Sequence, residues 1–575
     1  MKRTTRLLPL GALVLVGVLV AAFGPARTTN SEADASGPLV NQVLAHAVDV
    51  YLGRAQLGPG QFQVSSGPLE AALQAVHPMQ AAGVPSGRPN SKPDTQGCQK
   101  IRAGGLGRPD NIRVNQDCSF RRQAEEVIAV NPTDPKNLVA GQNDSRLGFN
   151  HCGYDWSYDG GRTWGDMVPP FFQFIMADSH TADACSDPTA TFDADGNAYA
   201  GGVLFDITSA ASAFVVMKSN APIGGAFYHN PAPDPFQVYR TTQPGVIASD
   251  NDPSVFNDKE LITADRNKQS PKANNVYGTW TRFSNAGSPI YFSQSTDGGA
   301  TWSPGIEISG SAAFCGGRCA NDQGSQPTAA PDGTIYVTFA NGDTNGPNLQ
   351  VLVVKCPASA DCSKQTSWEG PFRISDQFVG PGHLPPNTYR TPEETSISNS
   401  VDDLGHVYVV WMDFRNGGPP CTGGNPQPPC DMDVLYSVST DGGETWKSPV
   451  DITPKSQFGA TAQWQPWSAV TPNGKTLFVA YYDRSYRRCE FTGCNDITAA
   501  MISDPAGTGL PVKDVRVTTE SMPNLTSANN PAQAGFLGDY MWVATDRTSR
   551  AHIVWADTNG LRGAVEEDIY YATLR

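Results

Sequence analysis

One short phrase occurs three times in the chain, at residues 157–164, 295–302 and 439–446, and each copy reads Ser-x-Asp-Gly-Gly-x-Thr-Trp. Each copy follows a run of alternating apolar residues, which is typical of a β-strand. The two glycines supply the positive φ angles that a tight turn between strands needs. Since the Asp carboxylate can accept hydrogen bonds from N–H groups of its own turn, the phrase predicts a structural turn without a chemical role.

The three copies are almost evenly spaced, which indicates a repeat of about 70 residues with a degenerate copy between the intact ones. A second pattern, a short strand followed by a polar turn and a strand that ends near an Asp, marks every repeat. Its seven copies lie at residues 126–144, 187–206, 252–265, 326–343, 394–413, 465–483 and 539–557. The pattern predicts seven four-stranded units.

The phrase Ser-x-Asp-x-Gly-x-x-Trp is the Asp-box, or BNR repeat, of the sialidase-type β-propellers, and the chain resembles that superfamily. The resemblance implies an all-β propeller of about seven four-stranded blades; six, the number in sialidase catalytic domains, is the alternative. The last unit lacks a fourth strand, and residues 111–114 resemble the outer strands of the other units. We therefore expect this run to complete the last blade and close the ring.

The N-terminal part differs from the repeats. Lys2, Arg3 and Arg6 precede a long apolar run, so residues 1–26 are predicted to be a signal peptide, with an uncleaved membrane anchor as the alternative. Residues 27–110 form a predicted extension and linker, helical at 39–57 and 69–79. The propeller is assigned to residues 111–575.

Charge and cysteine content favour an extracellular protein. The net charge of −15 and the pI near 5.0 disfavour nucleic acid or an anionic membrane as the main partner. The twelve cysteines form six pairs of near neighbours, which predicts disulfide bonds in a secreted chain; a zinc site is the alternative. The pairs are Cys98/Cys118, Cys152/Cys185, Cys315/Cys319, Cys356/Cys362, Cys421/Cys430 and Cys489/Cys494.

Strand direction predicts which residues share the face opposite the Asp-boxes, here called the upper face. The inner strands should start there, and the second strands should end there. The predicted starts are Glu126, Asp187, Asp252, Gln326, Glu394, Gln465 and Asp539. The predicted ends include Asp144, Asp265-Arg266, Asp413-Phe414-Arg415, Asp483-Arg484 and Asp557. The upper face should therefore carry clustered carboxylates and several arginines.

Three interpretations of this ring remain open. The side chains can cap inner-strand N–H groups and link blades; they can form a glycan site, in which crowding raises the pKa of one carboxyl so that it serves as general acid; or they can hold a structural Ca²⁺. For the glycan site, the candidate catalytic residues are Glu394, Asp252, Asp187, Tyr482 and Tyr540. The candidate substrate-binding residues are Arg266, Arg415, Arg484, Asp413 and Trp411.

The resemblance also implies sialidase machinery: three arginines on a substrate carboxylate, a Tyr nucleophile activated by a Glu, and an Asp acid/base. The family's Phe/Tyr-Arg-Ile-Pro motif has one near match, at residues 372–375, which lacks the Pro and follows two Asp-boxes. That arginine role is therefore not assigned to Arg373. The sequence favours a secreted sialidase-like glycoside hydrolase acting on an extracellular glycan or glycoprotein without a cofactor. The alternative is a non-catalytic propeller that binds glycan or protein.

Overall fold

The computed structural model describes thirteen segments of the chain. They are residues 39–76, 101–105, 107–117, 122–146, 150–169, 174–219, 245–344, 346–386, 389–423, 425–453, 459–524, 537–559 and 565–575. The predicted signal peptide and the Cys98/Cys118 pair lie outside these residues, as does most of the predicted linker.

Seven antiparallel sheets form the seven blades of a β-propeller. The inner strands are Gln123–Val130, Ala184–Phe192, Phe256–Ala264, Asp322–Ala329, Ser398–Val401, Gln463–Val470 and Trp542–Thr545. The second strands are Leu138–Asp144, Ala198–Phe205, Val276–Phe283, Ile335–Asn341, Val407–Asp413, Thr476–Asp483 and Ala551–Asn559. The third strands are His151–Ser157, Ser212–Ser219, Ile290–Ser295, Leu349–Cys356, Asp433–Ser439, Asp496–Ser503 and Val565–Leu574. The first six outer strands are Gly165–Met167, Gly245–Asp250, Ile306–Glu307, Glu369–Gln377, Val450–Asp451 and Val512–Arg516. The all-β propeller prediction, with seven blades, is confirmed.

The seventh blade is built from both ends of the propeller. The strand Asn111–Arg113 pairs with Val565–Leu574, so that Ile112 lies opposite Tyr571, and Ile101–Arg102 adds a fifth strand outside it. The ring is therefore closed by the run that the sequence predicted for this role. Closure gives the seventh blade its outer strand and covers the edge of Val565–Leu574, which would otherwise be exposed.

The three Asp-Gly-Gly phrases form nearly identical turns between third and outer strands. In the blade 5 copy, Asp441 Oδ1 accepts from the Thr445 N–H at 2.9 Å, and Ser439 Oγ accepts from the Gly443 N–H at 2.8 Å. The second glycine of each turn packs against a tyrosine of the preceding blade. These contacts are Gly161 on Tyr571, Gly299 on Tyr199 and Gly443 on Tyr336. The turns thus fasten neighbouring blades together.

The predicted disulfide bonds are present: five bonds join cysteines that are near neighbours in sequence, a pairing that the sequence alone left open, and none of the cysteines within the described residues is free. Four of them close short loops, and the fifth, Cys152–Cys185, joins blade 1 to blade 2. The remaining bonds are Cys315–Cys319, Cys356–Cys362, Cys421–Cys430 and Cys489–Cys494. Such bonds reduce the entropy of the unfolded chain and are typical of oxidising compartments.

Two helices precede the propeller, α1 at Gln42–Tyr51 and α2 at Ser66–Val76, both shorter than or shifted from the predicted helices. Asn41 caps the N-terminus of α1: its side-chain oxygen accepts from the Val43 and Leu44 N–H groups, which have no acceptor within the first turn of the helix. The apolar faces of α1 and α2 pack on blades 2 and 3. Across the described ranges, neither these helices nor any other is long and apolar enough to span a bilayer.

The glycine pair of the first Asp-box turn allows a matched test of the fastening between blades. Gly160 and Gly161 both have positive φ, at 77° and 83°, but a Cβ on Gly160 meets nothing within 4 Å, whereas one on Gly161 overlaps the Tyr571 ring. Gly160→Ala should cost about 1 kcal/mol from backbone strain alone. Gly161→Ala should cost roughly 1–3 kcal/mol more from overpacking. Equal losses in urea unfolding would contradict this account.

Candidate functional site

Five inner strands carry a two-residue bulge at the same level near the upper end of the central channel. The first residue of each bulge has a left-handed backbone. These residues are Glu125, Asp187, Lys259, Gly324 and Gln465, with φ of 58°, 53°, 53°, 70° and 49°. A left-handed conformation costs a non-glycine residue about 1 kcal/mol or more, and such residues cluster at functional sites. The channel mouth is therefore the first place to look for chemistry.

Three carboxylates converge at this mouth. Glu125, Asp187 and Asp539 each bring one oxygen atom to within 4.8 Å of the others, and all three side chains are buried. Asn143 orients two of them, since its Nδ2 donates to Glu125 Oε2 at 2.6 Å and its Oδ1 accepts from the Asp187 N–H at 3.1 Å. We call the five acidic residues Glu125, Asp187, Asp258, Glu394 and Asp539 the acidic mouth.

Two basic side chains offset part of the negative charge. Lys259 Nζ lies 3.4 Å from Asp187 Oδ1 and 3.5 Å from the centroid of the Tyr540 ring. Arg390 Nη2 lies 3.2 Å from Asp539 Oδ1 and 3.8 Å from Glu394 Oε1. Five acidic groups thus share two cations.

The remaining donors come from the start of α2, which enters the acidic mouth. The Ser65 hydroxyl donates to Asp187 Oδ2 at 2.7 Å and lies 2.8 Å from Asp258 Oδ1. The Ser65 N–H donates to Asp258 Oδ2 at 2.7 Å, and the Ser66 N–H donates to Asp539 Oδ2 at 2.9 Å. The Ser66 hydroxyl donates to Glu125 Oε1. Because a helix N-terminus carries free N–H groups and a partial positive charge, it complements a ring of carboxylates.

Burial and crowding raise the pKa of the acids in the mouth. Burial raises the pKa of Glu125 well above its usual range, and Asp539 and Asp187 add to the effect. Burial, followed by the charge of Asp187, raises the pKa of Asp258 to about 7. Burial also raises the pKa of Asp187 and Glu394, although Lys259 and Arg390 respectively oppose the shift. These shifts favour the protonated form of the carboxyl groups in the mouth.

The segment that carries α2 fits the upper face closely. A Cβ on Gly67 would overlap the Ser186 hydroxyl, and a Cβ on Gly60 would overlap the carbonyl of Gly342 in blade 4. Asn41 Nδ2 donates to the Val255 carbonyl at 2.8 Å, and Glu70 forms an ion pair with Arg122. Residues 41–73 thus form a fitted cover over the acidic mouth.

Two of the predicted catalytic residues, Glu394 and Asp187, lie at the mouth. Asp252 does not, and its placement was wrong. It is exposed in a turn ahead of the third inner strand, where its Oδ1 accepts from the Ser254 N–H at 2.9 Å. The sequence pattern predicted two strands within residues 252–265. The structure has one strand there, Phe256–Ala264, and it places Lys259 at the mouth.

The same register error affects Arg266. It follows the inner strand instead of ending a second strand, so it lies at the lower face, opposite the acidic mouth. Arg415 remains on the upper face, where its Nε and Nη2 bind Asp413 at 2.8 Å each. Arg484 is fully buried and donates to the Asn495 side chain and the Pro385 carbonyl. The predicted three-arginine clamp is therefore not assembled.

The aromatic candidates are built into the blades. Tyr482 is buried, and its hydroxyl donates to the Ala556 carbonyl at 3.1 Å. The Tyr540 hydroxyl donates to the Pro188 carbonyl at 3.2 Å, and burial raises the pKa of this tyrosine far above its usual range. Trp411 is buried and donates to Asp413 at 3.2 Å. Neither tyrosine is placed as an activated nucleophile.

Sequence reasoning missed Asp258, Lys259, Arg390 and the two serines. The signal for Lys259 was present, because Lys259-Glu260-Leu261-Ile262 has the pattern of Glu125-Glu126-Val127-Ile128 in the first inner strand. Nothing local indicated that Ser65 and Ser66 reach the mouth. Their partners lie up to 473 residues away in the chain.

Among the described residues, two groups of side chains have the spacing of a cation site. Glu125, Asp187 and Asp539 form one, although Lys259 and the two serines already supply donors there. Asp178, His180 and Asp206 form the other, near the upper end of blade 2. Residues 193–197 form a turn in which Asp193 Oδ1 accepts from the Asp195 and Asn197 N–H groups.

No protein-family model matches the chain, and no curated protein is detectably similar to it. Among solved structures, a protein of unknown function from Dyadobacter fermentans is 13% identical, with 81% of this chain and 98% of that chain covered and a TM-score of 0.41. The phage phi92 endosialidase is 11% identical (82% and 70% covered, TM-score 0.43). The GH93 α-L-arabinofuranosidase of Fusarium graminearum, solved with arabinobiose, is 13% identical (68% and 92% covered, TM-score 0.39). At these values the similarities tell nothing about the activity of this chain.

The raised pKa of Asp258 predicts a pH dependence of stability. Between about pH 4 and pH 7 the folded state keeps a proton that the unfolded state loses, so the free energy of unfolding falls as pH rises through this window. Asp258→Asn should remove that component. Asp252→Asn is the matched control. Asp252 is exposed and its pKa is lowered, so this residue changes the pH dependence of the free energy of unfolding only below about pH 4. Identical slopes in wild type and Asp258→Asn would contradict the prediction.

Proposed function

We propose that this protein is a secreted, glycan-active propeller whose site is the acidic mouth, and that it acts as a sialidase-like glycoside hydrolase. The convergence of Glu125, Asp187 and Asp539 carries the proposal. Glycoside hydrolysis uses a protonated carboxyl as general acid beside a second carboxylate, and in retaining enzymes the two groups lie about 5 Å apart. The oxygens at the mouth meet that spacing.

The roles follow from the environment of each acid. Glu125 is proposed as the general acid, because burial raises its pKa well above the usual range and so favours the protonated form that this role needs. Asp539, held by the Ser66 N–H and by Arg390, is proposed as the partner carboxylate. Lys259 and Arg390 are proposed to bind polar groups of the glycan. The hydroxyl groups of two serines already form hydrogen bonds with Glu125, Asp187 and Asp258. The hydroxyl groups of a sugar can donate hydrogen bonds in the same way.

The cover over the mouth makes this form latent. A glycan cannot reach Glu125 while Ser65 and Ser66 occupy the hydrogen-bonding positions of the mouth. We therefore propose that activity requires residues 41–73 to leave the upper face. Extracellular proteins that carry such a segment can be activated by its displacement or cleavage, as with other pro-segments.

Hydrolysis of aryl glycosides, including sialosides and arabinofuranosides, tests the proposal in two states of the full chain. Gly67→Leu should undock α2, because its side chain would occupy the place of the Ser186 hydroxyl. We expect little hydrolysis by wild type and release of the aryl group by Gly67→Leu. Adding Glu125→Gln should reduce the undocked rate by about 10²–10⁴-fold.

Gly53→Ala is the control for substitution within the cover, since Gly53 also has positive φ but a Cβ there meets nothing within 4 Å. It should stay latent. Hydrogen exchange of residues 66–76 checks that Gly67→Leu has undocked α2, and circular dichroism checks that the blades remain folded. If the undocked, folded variant hydrolyses no glycoside, the hydrolase proposal fails and the non-catalytic binding propeller replaces it.

A further inference from the structure

The lower half of the channel contains a second cavity, separate from the acidic mouth. Its volume is about 780 Å³, within the range of sites that hold small molecules. Inner-strand residues from all seven blades line it, and the turns that follow these strands form its rim. Trp467 and Trp542 line it as well, stacked on each other with ring centroids 3.9 Å apart.

Two arginines occupy the rim on separate turns. Arg266 follows the inner strand of blade 3, and Arg547 follows that of blade 7. Within the described ranges, neither guanidinium makes a hydrogen bond or an ion pair. Both side chains are exposed and line the cavity. Desolvation by the surrounding channel lowers the pKa of Arg266, the charge of Arg547 lowers it further, and the charge of Asp403 opposes the shift.

The other charged groups of this rim do not neutralise the pair. Lys268 lies on the same turn as Arg266, but its ammonium group is exposed to solvent and pairs with Asp195 at 3.7 Å, so its charge is already offset. Asp546 is engaged by its own turn, where it accepts from the Thr548 and Arg550 N–H groups. Asp403 also lines the cavity and its charge raises the pKa of Arg266, but it forms no ion pair with either arginine in the part of the chain that the structure describes. Two like charges that lack an ion-pair partner leave part of their attraction for an anion unused.

We propose that the lower cavity is a binding site for a small ligand with an oxyanion group, which Arg266 and Arg547 hold at the rim while the rest of the ligand enters the channel. A guanidinium offers paired N–H donors that match a carboxylate, sulfate or phosphate. The apolar walls and the edge of the Trp542 ring accept the body of a sugar or a planar group. The net charge of −15 makes this positive rim an exception on the molecule and gives it selectivity for anions.

The proposal is independent of the acidic mouth, because the cavity opens at the opposite end of the channel and α2 does not reach it. The carboxylates of the acidic mouth suit a ligand that donates hydrogen bonds through hydroxyl or N–H groups. The arginines of the lower cavity suit a ligand that accepts hydrogen bonds. A carboxylate ligand such as a uronic acid would therefore bind below and not above.

Isothermal titration calorimetry of the full chain with glucuronate, sulfate and phosphate, at constant ionic strength, tests the site. Neutral glucose serves as the uncharged probe. We expect one saturable site for at least one of the anions and none for glucose. Arg266→Gln and Arg547→Gln should each weaken anion binding roughly tenfold or more, which is the loss of one charge-assisted pair. Lys268→Gln is the matched control, with affinity within about twofold of wild type after screening.

The thermal stability of the same variants shows whether they are folded. Without anion, Arg266→Gln and Arg547→Gln should melt no lower than wild type, because each removes a like-charge repulsion. Tighter binding of glucuronate than of sulfate or phosphate would identify the occupant as an acidic sugar, and the reverse order would identify an inorganic oxyanion; either supports the site. No saturable binding of any anion, or equal loss in Lys268→Gln and Arg266→Gln, would overturn it.

Discussion

The pairing of Asn111–Arg113 with Val565–Leu574 is the constraint on which the other features depend. It converts a row of sheets into a ring, so that seven inner strands surround one channel. Buried polar contacts hold it: the Val114 N–H donates to the Ile569 carbonyl at 2.8 Å, the Ile569 N–H donates to Asn115 Oδ1 at 2.9 Å, and Arg113 pairs with Asp568. Without closure, Asp539 of blade 7 would not lie beside Glu125 of blade 1.

The closed ring gives the channel two ends of opposite chemistry. The upper end gathers acids because bulges in the inner strands put Glu125 and Asp187 at one level, and the lower end gathers arginines because the turns after these strands carry Arg266 and Arg547. Trp467, Trp542 and their neighbours lie between the two ends. A single scaffold thus separates an acidic end of the channel from an end that carries two arginines.

The cover over the acidic mouth resolves an electrostatic problem. Five acidic groups, four of them buried, would repel one another strongly in a low-dielectric site that holds only two cations. The N-terminus of α2 supplies N–H groups and serine hydroxyls to four of the five acids. The contacts that stabilise the fold are therefore the same contacts that close the site, and any route to activity has to replace these donors with others.

The sequence by itself determined the propeller, because Asp-Gly-Gly turns, strand alternation and near-neighbour cysteines are local patterns whose structure follows from a few adjacent residues. It also placed Asp187, Glu394 and Asp539 at the upper end, since strand direction alone fixes the end at which a residue lies. Only the tertiary structure decided which of these side chains meet. The register of Phe256–Ala264 put Lys259 in the place predicted for Asp252 and moved Arg266 to the other face, because the pairing with Val276–Phe283 sets register and the local sequence does not. The docking of Ser65 and Ser66 joins residues hundreds of positions apart, and no local pattern encodes such a contact.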